Sequence, residues 1–228
     1  MNPSRPFPYP KSRKLKPEEL PEVYRALRRH FGHQDWWPGE TPFEVMVGAI
    51  LTQNTAWSNV EKAIANLRQA GVLSPEALRK ISKKRLAALI RPAGYFNIKA
   101  ERLKSFIQFF FKEYGGRLDR MRKERGTAPR TKLLSVKGVG PETADSMLLY
   151  ALNRPIFVID AYTKRIFARH RMMNFSESYD VWQKVFMSAL PRQTSLYNDF
   201  HAQIVALGKA LCKTSKPLCD YCPLSRYL

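Results

Sequence analysis

Apolar residues return every three to four positions along most of this chain, which is the period of an amphipathic helix. Phe43, Met46, Val47 and Ile50 form one such series; Trp57, Val60, Ile64 and Leu67 form the next. The interruption at "LTQNTAW" predicts a helix, a short break and a second helix. Pro17-Glu18-Glu19 opens an earlier helix that runs to about His30, with acids in its first turn. Ser74 precedes Pro75 and Glu76, a helix start with its cap and first-turn proline, and "SKKRLAALI" repeats the signal. "NIKAERLKSFIQFFFKEYG" predicts a long helix ending at Gly115-Gly116. Ala144, Met147, Leu148, Ala151 and Leu152 share a helix face that begins at Glu142. After the short apolar run "IFVID", helical spacing resumes in "AYTKRIFARHRM" and "SYDVWQKVFMSAL". A last helix carries Tyr197, Phe200, Ile204, Leu207 and Leu211 on one face. No useful stretch alternates with period two, and no segment repeats. The expected fold class is all-α.

Composition narrows the partners. Among 228 residues, 39 Lys and Arg oppose 19 Asp and Glu, a net charge of +20. Such a field draws polyanions and speeds their encounter, so nucleic acid is the expected partner. A membrane is not, because no run of about 18 apolar residues is present. Hydrophobic residues make up 44%, enough for a core, and the length suits one large domain or two small ones sharing a cleft. Residues 1–16 hold four prolines, five Lys or Arg and no acid, and read as a flexible basic arm rather than a signal peptide. The three cysteines fall within the last seventeen residues, which argues against a disulfide framework and for a reducing compartment.

Residues 134–145, "LSVKGVGPETAD", place Gly138 and Gly140 two apart, directly before a helix that starts at Pro141. Glycines permit a tight turn, and amides of Val139, Gly140 and the first helical turn would then gather into an anion site with Lys137 beside it. Taken alone, the pattern is equally an ordinary turn between helices. Twenty residues past Gly140, Asp160 ends the apolar run ahead of the next helix, where it is either a helix cap or a group with chemistry to do.

Together, "LLSVKGVGPETAD" and "PIFVIDAYTKRIF" resemble the helix-hairpin-helix and the Gly/Pro-rich loop with its aspartate that mark the endonuclease III superfamily of DNA glycosylases. "GAILTQNTAWSNVEKAI" and "RPAGYFNIKAERL" match further family segments, so the resemblance covers about Trp36 to Cys222. It implies that Asp160 is the catalytic carboxylate, stabilising positive charge on the deoxyribose and activating water. Bifunctional members carry a lysine nucleophile where this chain has Glu142, and a carboxylate cannot form an imine. A monofunctional enzyme is therefore expected. The aromatic segment at Trp36 and Trp37, with Pro38 and Trp57, resembles the 3-methyladenine DNA glycosylase branch. By that resemblance these residues line a base pocket, with Lys209 close to Asp160; tryptophans in a core would give the same pattern. Gln53 matches the residue that enters the duplex where the flipped base was, and Tyr95 a second wedge. As a polar residue in an apolar series, Gln53 is equally expected to be buried and bonded. Lys137, Gly138, Val139 and Gly140 would grip the backbone.

Cys212, Cys219 and Cys222 match the spacing of a family [4Fe–4S] site, whose fourth cysteine position is here Leu228. A leucine cannot ligate iron, so a cluster here takes an unusual fourth ligand or is labile, or the site has decayed or been altered; an iron–sulfur cluster is favoured over zinc with His201, whose spacing is not that of a usual finger. The expectation is an all-α enzyme of two helical subdomains with a lesion cleft between them. Residues of about 40–155 would form a helical bundle with the hairpin, and 17–39 plus 156–228 the second subdomain. It would act as a cytoplasmic, nucleoid-associated monomer on double-stranded DNA with damaged bases, excising alkylated purines. The alternatives are a glycosylase and lyase for oxidised pyrimidines or mismatches, and a non-catalytic DNA-binding protein.

Overall fold

A computed structural model describes residues 14–34, 36 and 39–227. Its regular elements are helical, and no strand occurs among the described residues. The chain divides into two compact units.

The first unit, Trp37–Ile156, is continuous in sequence. It contains α2 (Pro42–Leu51), α3 (Trp57–Gln69), α4 (Pro75–Lys80), α5 (Lys83–Leu89), α6 (Phe96–Tyr114), α7 (Leu118–Lys123), α8 (Ala128–Leu134) and α9 (Pro141–Ser146). Thr41, Ser74 and Ser82 cap α2, α4 and α5, each accepting from the amide three residues on at 3.1–3.2 Å. α2 is apolar almost all round, and Met46, Val47, Ile50 and Leu51 are fully buried within the unit. α6 lies against it, with the Phe110 ring stacked on Phe43 of α2 at 6.1 Å. The carboxylate of Asp145, on α9, is fully buried and takes two bonds from Arg130, at 2.8 and 3.1 Å. α9 continues into a π-helical turn, Met147–Ala151, whose residues are all buried.

The second unit combines the described residues up to Trp36 with those from Phe157 onward. Its helices are α1 (Leu20–Phe31), α10 (Ala161–Arg169), α11 (Tyr179–Ala189) and α12 (Thr194–Ala210). Phe157, Phe167, Trp182, Phe186, Tyr197 and Phe200 fill its core, and Phe157 and Phe186 stack at 4.6 Å. Phe157, Val158 and Ile159 of the run "IFVID" are buried without pairing as a strand, and side chains of α11 satisfy part of their backbone. Gln183 Nε2 donates to the Phe157 carbonyl at 2.7 Å, and the Ile159 amide donates to Tyr179 Oη at 3.3 Å. α12 crosses α10 closely at Gly208, where a Cβ would lie 2.9 Å from Tyr162 Cγ. Arg165, on α10, closes the crossing with bonds to the carbonyls of Gly208 (3.1 Å) and Cys212 (3.0 Å).

The expected helices are present with their expected caps. Three features differ from the sequence reading. α7, α8 and the 3-10 turn Arg91–Ala93 were not expected, because elements of one or two turns are too short to display a period. The helix from Glu142 changes to π geometry at Met147, where the apolar spacing continues unchanged. The expected basic arm lies outside the described residues for 1–13, and its last part is not free. Leu15 is fully buried, its amide donates to the His170 carbonyl at 3.1 Å, and the Lys16 amide is taken by Glu19. An apolar side chain among the basic ones anchors the chain there.

Candidate active site

Asp160 is the N-cap of α10, with extended backbone that leads straight from the buried run into the helix. Its Oδ1 accepts two bonds from Thr163, from the amide at 2.7 Å and from Oγ1 at 2.8 Å. Oδ2 faces a different neighbour, His201 Nε2 of α12, at 3.6 Å. One carboxylate oxygen therefore starts the helix while the cap does not use the other, so the two roles considered from sequence are compatible. His201 is buried, and burial holds its pKa below the usual histidine value against the opposing pull of Asp160. Sequence reasoning considered His201 only as a zinc ligand. No signal in the sequence pairs positions 160 and 201; the α10–α12 crossing does.

α12 also carries the supports of the aromatic segment. Asp199, buried, accepts from the Gln34 amide at 3.2 Å and from Tyr24 Oη at 2.7 Å. Burial, then the bond to Asp199, pushes the Tyr24 hydroxyl up to about 12. Gln203 Nε2 donates to the Gly32 carbonyl at 2.6 Å. These contacts fix the chain immediately before Trp36, which is half-buried, with Lys209 Nζ 5.7 Å from its ring centroid. Trp37 and Pro38 lie outside the described residues.

In the first unit, the hairpin is shaped by Gly138 rather than Gly140. Gly138 has φ 86°, and a Cβ there would stand 2.8 Å from Arg102 Cδ, so the site excludes a side chain twice over. Gly140 is extended and faces open space. The Val139 amide donates to the Val136 carbonyl at 3.0 Å, which corrects the expectation that it points outward with its neighbours: it closes the turn instead. Val139 itself is buried. α9 begins at Gly140 without a side-chain cap. Lys137 is exposed and pairs with Glu101 at 2.7 Å. Glu142 is exposed in the first turn of α9, where an acid suits the helix dipole.

Gln53 is turned onto this hairpin. Its Nε2 donates to the Gly138 carbonyl and to Thr143 Oγ1, both at 2.9 Å, and its Oε1 accepts from Arg102. Of the two readings open from sequence, the bonded one describes this structure. Tyr95 is 63% exposed and stands in left-handed backbone, φ 43°, following Gly94 at φ 68°. Strain of that kind costs on the order of 1–3 kcal/mol and persists only where neighbours enforce it. Lys99 is the enforcing neighbour: its buried ammonium donates to the carbonyls of Leu51 (2.8 Å) and Ala93 (2.6 Å), tying the Gln53 loop to the Tyr95 turn. Burial lowers its pKa, and nearby Arg102 adds to this. Trp57 is half-buried at the start of α3, with its ring beside Gly48.

The cysteine loop is closed by Arg169. Its Nη1 donates to Cys212 Sγ at 3.2 Å and to the Lys213 carbonyl at 2.6 Å, and Nη2 donates to the Thr214 carbonyl at 2.9 Å. Burial pushes the Cys222 thiol up to about 11 and raises Cys219 as well. The position that would supply a fourth thiolate is Leu228, outside the described residues. Three sulfurs and a leucine do not fit a cluster held by four thiolates. Among the described residues no three His, Cys, Asp or Glu side chains are arranged to hold a metal.

Comparison with known proteins agrees with this geometry. The family model described as "HhH-GPD superfamily base excision DNA repair protein" matches residues 47–192, which include the hairpin and Asp160. "Putative DNA repair glycosylase MJ1434" of Methanocaldococcus jannaschii is 45% identical over 211 residues, 92% of this chain and 96% of that one. A solved 3-methyladenine DNA glycosylase of H. pylori (MagIII), bound to 1,N6-ethenoadenine, is 28% identical with a TM-score of 0.75, covering 86% of this chain and 98% of its own. An endonuclease III in non-covalent complex with DNA shares the fold at 20% identity, with a TM-score of 0.80, covering 93% and 95%. The match to the family model and the identity along nearly the whole length place this chain in the HhH-GPD superfamily, as a DNA glycosylase of base excision repair.

Proposed function

We propose that this glycosylase is monofunctional and removes alkylated purines, 3-methyladenine-like bases first, by hydrolysis assisted by Asp160. The observation that carries this reading is the pairing of a poised carboxylate with Glu142, an acid at the position of the lyase lysine. As the bond between C1′ and the base nitrogen breaks, its electron pair leaves with the base and C1′ becomes electron-poor. Asp160 Oδ2 stabilises that charge and takes a proton from the water that bonds to C1′. An alkylated purine carries a positive charge that its departure neutralises, so the leaving base needs no proton. Trp36 suits such a base, since an indole face attracts cations and already has the Lys209 ammonium near it. The 1,N6-ethenoadenine bound in the H. pylori relative supports a modified purine as substrate class.

The protein would act as a monomer on duplex DNA, in the cytoplasm with the nucleoid. Gly140 and the uncapped start of α9 would meet a phosphate, and Tyr95 would enter the duplex. Gln53 would have to release its bonds to the hairpin in order to follow. The cysteine loop, with Lys213, Lys216 and Arg226, would contact phosphates as a structural element without a four-thiolate cluster. Stoichiometric iron and acid-labile sulfide in anaerobically purified protein would refute that last point.

Base release from alkylated duplex DNA, with and without alkali, tests the central reading. Free 3-methyladenine with strand breaks only after alkali is expected. Breaks without alkali, together with a borohydride-trapped DNA adduct, would identify an imine-forming lyase instead. Release of oxidised or mismatched bases alone would move the substrate class.

A further inference from the structure

Asp160 has its two oxygens in unlike surroundings. Oδ1 is fixed by the Thr163 amide and hydroxyl. Those bonds hold the carboxylate by one edge only, and turning about its last torsion, which has broad, shallow wells, would strain them as it swung Oδ2. Oδ2 is the oxygen that must meet water and sugar, and the side chain beside it is His201, at 3.6 Å. An imidazole in the interior of a helical core costs free energy unless a polar partner compensates it. The charge acting on it is that of Asp160. Other charged groups on these two helices have contacts of their own: Lys164 donates to the Glu177 carbonyl, Arg169 to the Lys213 carbonyl, and Lys209 lies over the Trp36 ring. Asp199 of α12 meets Tyr24 and the Gln34 amide, with Arg28 of α1 3.9 Å away; Arg165 of α10 meets two carbonyls of the α12 end. The backbone also enforces the approach. Gly208 and Arg165 set α12 against α10, and His201 lies about two helical turns before Gly208.

We propose that His201 is a positioning residue for Asp160: a neutral imidazole with its proton on Nε2, aimed at Oδ2, that holds the carboxylate plane for attack on water. The inference rests on Asp160 being the carboxylate of the reaction. Burial keeps the ring neutral, so it serves as a hydrogen-bond donor and not as a competing cation. A charged ring would pair with Asp160 and draw it away from the sugar. The 3.6 Å separation describes the free protein; such contacts commonly tighten once substrate excludes water.

The experiment compares wild type, Asp160→Asn, His201→Gln and His201→Leu as full chains. It uses single-turnover base release from alkylated duplex, duplex affinity, and nitrogen-15 NMR of the imidazole without DNA. His201→Leu should slow release roughly 10- to 100-fold, the usual effect of removing an outer partner, with duplex affinity unchanged. His201→Gln keeps a donor and should recover most of the rate. In wild type the His201 Nε2 should carry the proton, and its resonance should move on Asp160→Asn. Release by His201→Leu at the wild-type rate would overturn the proposal. So would an Nε2 that is unprotonated or insensitive to Asp160→Asn, the decisive result if His201→Leu does not fold. If wild type releases no base from the alkylated duplex, the proposed substrate class fails, while the NMR still reports whether the two side chains are coupled.

Discussion

α9 and α10 both begin just after extended backbone, and they begin in opposite ways. α10 brings its own anion: Asp160 caps it and accepts from the Thr163 amide. α9 has no such cap: Gly140 offers no side chain, open space lies where one would stand, and the acid of its first turn, Glu142, is exposed. Every helix start presents unsatisfied amides and a partial positive charge. A start filled from within fixes a carboxylate in place, and a start left open waits for an anion from outside. In a DNA glycosylase the first suits the reacting group and the second suits the phosphate backbone.

The sharpest way to break this comparison is Asp160→Asn. Asparagine caps a helix as well as aspartate does, so α10 should persist while the charge is lost. Base release should fall on the order of 1,000-fold with duplex affinity and melting temperature little changed. A large loss of stability would mean that the carboxylate serves mainly the fold.

The glycines give the next largest contrast. Gly138→Ala adds a Cβ at positive φ against Arg102, and should cost about 2–4 kcal/mol in urea denaturation through strain and overpacking. Gly140→Ala meets open space, and should leave stability nearly unchanged while weakening duplex binding. Equal losses of stability would remove the distinction between a turn-forming and a phosphate-facing glycine.

Acid should act on the closed site and not on the open one. His170 and His201 are buried and held neutral, with pKa values below the usual 6.5. Below that pH the unfolded chain binds protons that the folded chain refuses, so stability falls as pH drops through about 6.5. The loss should approach about 1.4 kcal/mol per pH unit for each histidine. Urea midpoints at pH 7.5 and 5.5 would measure it, and His201→Gln should reduce it. The smallest effect is expected at the exposed end of the hairpin. Lys137→Ala should weaken duplex binding a few-fold and lower the salt-dependence slope by about 1.

Most of the helices could be read from the sequence because their signals are local. Ser74 and Ser82 announce the starts they cap, and Gly115 ends α6 where the pattern stops. The chemistry expected of Asp160 came from the family resemblance, whereas the residue itself was legible as a helix cap from its place at the end of the apolar run. Its partner was not: residues 160 and 201 meet only because Gly208 lets two helices cross closely, and a crossing leaves no mark in periodicity. The Val139 amide was misjudged because turn closure competes with anion binding for the same donor, and only the folded turn decides which prevails. A polar residue in an apolar series signalled that Gln53 needs partners, without saying that Arg102, Gly138 and Thr143 supply them.

The two units differ in when they can be completed during synthesis. The hairpin's unit is an uninterrupted segment, Trp37–Ile156, whereas the unit of Asp160 draws on both flanks and on α12 at residues 194–210. Units emerging from a ribosome fold as their sequence becomes available. A growing chain can thus finish the hairpin's unit before Asp160 gains the helix beside it. Protease protection of chains arrested after residue 156 and after residue 210 would time the two events.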